Sequence, residues 1–143
     1  MRIGVRVGAF LAAALFVVGC ANRTVSPSAE LQGKSLAALR AEMDAGRITS
    51  ERLVRAYLER IEALDRHGPT LRAVLSVNPD ALEQARALDA ELKERGPRSL
   101  LHGIPILVKD NIETRDPVPT TAGSLALAEN RTYRDAPVIA NLR

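Results

Sequence analysis

The sequence has no tryptophan, only two tyrosines and two phenylalanines, one cysteine and two histidines. So few aromatics exclude a base-stacking platform for single-stranded nucleic acid. A lone cysteine, Cys20, excludes an intramolecular disulfide and a cysteine-based zinc site. His67 and His102 lie far apart in unlike surroundings, so no metal site is expected. Charge of one sign is scarce as well. The formal net charge is +3, but Arg2 and Arg6 fall in the first 19 residues, which hold no acid, and residues 20–143 carry 18 basic and 17 acidic groups. That balance excludes the clustered basic face that nucleic-acid binding requires. What is present is the composition of an ordinary globular protein, 46% hydrophobic and 26% charged over 143 residues. This is enough for one domain with a modest core, and it excludes disordered and collagen-like classes.

The first twenty residues, "MRIGVRVGAFLAAALFVVGC", open with a short basic stretch, continue through an apolar run from Val7 to Val18, and close on a small residue before Cys20. A transmembrane helix needs about 20 apolar residues, and this run stops short. The layout is that of a secretory signal. "VVGC" resembles the lipobox of bacterial lipoproteins, in which cleavage before the cysteine exposes a thiol for lipid attachment. The resemblance makes residues 1–19 a signal peptide and Cys20 the lipidated mature N-terminus; in a plain signal peptide Cys20 would be incidental. The expected location is outside the cytoplasm, lipid-anchored on the periplasmic or cell-surface side of a bacterial membrane. Ala21 in place of aspartate accompanies outer-membrane sorting in Gram-negative lipoproteins. Residues 20–32 are small and polar and read as a flexible tether, leaving 33–143 to fold.

Three helices follow from apolar spacing and caps. Leu36, Leu39 and Met43 recur at helical intervals, with Ser35 as cap and Gly46 as stop. Leu53, Val54, Tyr57, Leu58, Ile61 and Leu64 form a second stripe, capped by Thr49 or Ser50, with Glu51 suited to the first turn and His67 at the end. On its solvated face Glu51, Arg55 and Glu59 stand four residues apart. Asn78 and Pro79 begin a third helix whose buried face is Ala81, Ala85, Leu88 and Leu92, ended by Gly96. Residues 71–77 and 104–108 read as strands. The order helix, helix, strand, helix, strand predicts an α/β or mixed layered domain.

Lys109 directly follows "IPILV". Pro105 cannot donate to a ladder, which limits the second strand to residues 106–108 with Lys109 at its carboxyl end, where α/β folds gather their chemistry. On local features alone two readings stand: a lysine leaving a buried strand to pair with Asp110 or Glu113, or a reactive amine. The chain uses 17 arginines but only three lysines, Lys34, Lys93 and Lys109. An arginine keeps its proton in a protein, whereas a desolvated lysine can lose one and act as a base.

"LHGIPILVKDNIET" followed by "PTTAGSLAL" resembles the amidase signature family, and the upstream "ITSERLVRAYLERIEAL" and "NPDALEQARALDAEL" stand in the order that family shows. The resemblance runs from about Ser35 to Arg143. It implies hydrolysis of small-molecule amides, or transfer of their ammonia, by a serine nucleophile, a second serine in a cis peptide and a lysine, with no cofactor. By position within "VKD", Lys109 corresponds to that lysine. It would take a proton through the bridging serine so that the nucleophile attacks the amide carbonyl, and the proton would then pass to the departing amine. Backbone N–H groups of a Gly-Ser-rich loop would stabilise the oxyanion. Both family serines lie well downstream of "TTAGS", and the sequence ends 34 residues after Lys109, inside a helix read from Asp135 with Pro137 in its first turn. The resemblance implies an incomplete N-terminal part of the amidase signature fold, an α/β fold with a mixed sheet core covered by helices, that is inactive alone. Ser124 is expected to open a short segment; Thr120, Thr121 and Gly123 to form a structural loop; His102 to be a satisfied flanking residue. No residue is assigned to substrate binding. The alternative is a lipid-anchored binding or scaffold module without catalysis, which would leave residues 106–108 exposed or paired with another chain. A component of a cytoplasmic amidotransferase is disfavoured by the leader.

Overall fold

The computed structural model describes residues 31–143; the segment read as a signal and Cys20 lie outside them. Helix α1, Leu36–Asp44, starts where Ser35 Oγ accepts the Ala38 N–H at 3.2 Å. The chain turns at Gly46, φ +68°. Helix α2, Ser50–Ile61, is capped by Thr49 Oγ1, which accepts the Arg52 N–H at 3.1 Å, and runs into a π-helical turn, Glu62–Arg66. Gly68 ends it in a left-handed conformation. Helix α3, Ala81–Arg95, closes at Gly96, φ +76°. After a long irregular stretch come a 3₁₀ turn, Leu125–Leu127, and helix α4, Pro137–Leu142, with proline at its first position.

The core joins Leu31, Leu39, Met43, Ile48, Leu53 and Ala56, with Tyr57 and Ile104 against it. Leu31 lies within the stretch read as tether. Of the stripe on α2, Leu53 and Val54 are buried together with Ala56, while Tyr57, Leu58, Ile61 and Leu64 are half-buried. On α3 only Ala85 is fully buried. Two carboxylates do work that the sequence pattern did not announce. Asp89 of α3 accepts the N–H groups of Ser50 and Glu51 at 2.7 and 3.0 Å, so it caps α2 from a neighbouring helix. Buried Asp65 accepts Ala73 N–H at 2.5 Å and Val74 N–H at 3.3 Å. Glu51 binds Arg55 and also Arg86 of α3, so Arg55 turns toward Glu51 and not toward Glu59.

Two expectations, both of them helix starts, are corrected. The third helix begins at Ala81, two residues late, because Asn78 Oδ1 accepts the Asp80 N–H at 2.9 Å and holds Asn-Pro-Asp as a turn. The last helix begins at Pro137 and not at Asp135. No strand ladder forms among the described residues, so the sheet is not seen there. Residues 71–77 are interrupted at Arg72, φ +51°, and residues 106–108 make no backbone hydrogen bonds among the described residues. A strand exists only by exchanging such bonds with a neighbour. Expected to be buried, Ile106, Leu107 and Val108 are instead 46%, 78% and 39% exposed.

Candidate active site

The segment leading to Lys109 is fastened to the core at its root. His102 is buried and its carbonyl accepts from Arg40 Nη1 at 2.8 Å. The buried Ser50 hydroxyl donates to the Gly103 carbonyl at 2.6 Å. Gly103 has φ +73°, and a Cβ there would lie 3.0 Å from Met43 Cε and 3.2 Å from Ser50 Cβ; only glycine fits both the conformation and the space. The His102 ring is satisfied as expected, with Nε2 3.0 Å from the Leu88 carbonyl and Nδ1 3.4 Å from the Arg98 N–H.

From Ile104 the chain is extended. Ile106 and Val108 border a cleft of about 260 Å³ that reaches α3 and α4. Leu107 is 78% exposed, and neither it nor Lys109 lines the cleft. The cleft is therefore bordered by neighbours of the lysine and not by the lysine itself. The polar end of the cleft is self-satisfied. Asp116 accepts from Gln84 at 3.1 Å, Thr114 at 3.0 Å and Arg143 at 2.6 Å. Burial pushes the Asp116 carboxyl up, but these bonds outweigh it and leave it below its ordinary value.

Lys109 is exposed and forms no ion pair among the described residues. The described residues thus do not supply the burial that would favour its neutral form. Both acids offered as its partners are engaged elsewhere. Glu113 binds Arg134 through two bonds of 2.7 and 2.8 Å, which lower its carboxyl pKa. The Asp110 carboxylate accepts the Thr121 N–H at 3.0 Å, the Thr121 hydroxyl in a short bond, and the Gly123 N–H at 3.3 Å. Its carbonyl takes the Ala122 N–H at 3.1 Å. The Thr121 hydroxyl and N–H, then Gly123 and Ala122, hold the Asp110 carboxyl below its ordinary value. Ala122 and Gly123 reach it in left-handed conformations, φ +50° and +76°. Ser124 stands before the 3₁₀ turn without a side-chain cap bond, and Thr120 is tied to Asn130. Thus "VKD" and "TTAG" are brought together, with the aspartate as the joint; the signal in the sequence was an acid followed eleven residues later by a Thr-x-Gly turn. No group of three or more His, Cys, Asp or Glu suited to a metal occurs among the described residues.

Residues 52–143 match the family described as Amidase. A protein named as a probable amidase in Arabidopsis thaliana is 41% identical over 134 residues, 92% of this chain and 26% of its own length. A glutamyl-tRNA(Gln) amidotransferase component of Chloroflexus aurantiacus is 48% identical over 116 residues, 79% of this chain and 23% of its own. Among solved structures, the native peptide amidase of Stenotrophomonas maltophilia superimposes with a TM-score of 0.75 at 49% identity, covering 78% of this chain and 23% of that one. The chain spans about a quarter of the length of these relatives.

Proposed function

The chain belongs to the amidase family, and on that premise we propose that it contributes the lysine of a serine–lysine hydrolase of carboxamide C–N bonds, with Lys109 as general base. The observation that carries this reading is the family match across Lys109 together with the occupation of Asp110 and Glu113 by Thr121, Gly123 and Arg134. With both carboxylates bound elsewhere, neither ties the Lys109 side chain into an ion pair. In the proposed step the amine draws a proton through one serine from another, the second serine oxygen attacks the amide carbonyl, and the proton then goes to the leaving nitrogen. The serines have no counterpart in residues 110–143 that the resemblance identifies. Residues 106–108, whose backbone pairs with no other among the described residues, would complete the expected sheet by pairing with another strand.

The 143-residue chain by itself is expected to release no ammonia from simple carboxamides. Residues 52–143 grafted in place of the matching segment of the Stenotrophomonas peptide amidase should hydrolyse them, and Lys109→Ala in that graft should lower kcat by about 10³-fold or more. A folded graft indifferent to Lys109→Ala would overturn the assignment. Likeness to part of an amidotransferase adds ammonia transfer as an outcome, recognised by product nitrogen that reaches an acceptor without appearing free in solution. We extend the proposal to location: the pattern of residues 1–20 supports export and lipid attachment at Cys20. An alkyne-tagged fatty acid should label the protein in bacterial cells, and Cys20→Ser should abolish the label.

A further inference from the structure

We infer that Asp110 is a positioning residue for Lys109: by giving its carboxylate to residues 121–123 it fixes the backbone immediately after the lysine and keeps the nearest acid away from the lysine amine. The inference rests on the reading of Lys109 as the base. Lys109 has no ion pair of its own among the described residues to orient it. Its placement must then come from the main chain on its two sides. On one side lies the extended segment rooted at Gly103; on the other lies Asp110, whose carboxylate and carbonyl together take four hydrogen bonds from one turn.

The turn is itself cross-linked. The Thr121 hydroxyl donates to Asp110 and accepts the Gly123 N–H at 3.1 Å, so one side chain links the carboxylate to the far end of the turn. Ala122 holds φ +50°, a conformation that a residue with a Cβ keeps only when its surroundings impose it. Donors directed at an ionised acceptor make strong bonds, which agrees with the lowered pKa of Asp110. Adjacent in sequence to a cation, a released Asp110 would close onto Lys109 and favour its protonated form.

Acetylation by acetic anhydride, which requires a neutral amine, reads this placement in the full 143-residue chain, with Lys34 and Lys93 as internal standards. In Thr121→Val the Gly123 amide should exchange with solvent faster, and acetylation of Lys109 at pH 8 should fall about threefold relative to Lys93, the size an exposed ion pair allows. Thr121→Ser keeps the hydroxyl and should restore both. A Thr121→Val protein with the parental Lys109 to Lys93 ratio overturns the inference, as does parental exchange at Gly123. A general loss of fold would change Lys34 and Lys93 as well, leave no selective effect on Lys109, and count against it. Labelling needs no turnover, so failure of the grafted enzyme would sink the base assignment and leave this result standing.

Discussion

At the residue scale, two positions define how the lysine is presented. Gly103 combines a left-handed φ with a wall formed by Met43 and Ser50. Gly103→Ala should destabilise the protein by about 1–3 kcal/mol through strain and overpacking, read as a lower urea midpoint at unchanged slope. For Asp110 the direction with pH follows from its lowered pKa. Its contribution is fully present above the ordinary aspartate value of about 3.9 and is lost as pH falls through the lower folded value. Amide exchange at Thr121 and Gly123, corrected for intrinsic rates, should therefore stay slow at pH 5 and accelerate only below about pH 4. Loss of protection already at pH 6 would show that another group holds the turn. Asp110 was legible only as a possible ion partner of Lys109, since its true partners lie eleven to thirteen residues away and, apart from the Thr121 hydroxyl, are backbone N–H groups, which leave no trace in side-chain pattern.

At the element scale, what could be read was what is local. Ser35 and Thr49 cap the helices assigned to them because a cap reaches only three residues along the chain. Asp89 escaped notice because it reaches Ser50 across 39 residues. Asp89→Ala should cost about 1–2 kcal/mol by stripping two N–H groups at the start of α2, and Asp89→Asn, which keeps an acceptor, should cost less. Thermal unfolding followed by circular dichroism separates the two. The expected strands illustrate the complementary case. Apolar density in residues 104–108 is real, yet a ladder is a property of two segments, and among the described residues no second one lies alongside.

At the scale of the whole molecule, residues 106–108 are an exposed apolar stretch whose backbone pairs with no other among the described residues, a template for self-association. Leu107→Lys should reduce light scattering of the concentrated chain while leaving the unfolding midpoint within about 0.5 kcal/mol of the parent, because Leu107 is 78% exposed. A large loss of stability would mean that Leu107 is covered in solution. The same segment also has a mechanical side. From its root at Gly103 to Lys109 it is a lever six residues long, about 20 Å when extended. Pivoting by about 5° at the root would sweep the lysine through about 1.7 Å, and misplacements near 1 Å are enough to cost about a hundredfold in rate. Held at Gly103 alone, the arm would be a cantilever; joined to the turn through Asp110, it becomes a beam supported at both ends, stiff where the amine has to be aimed.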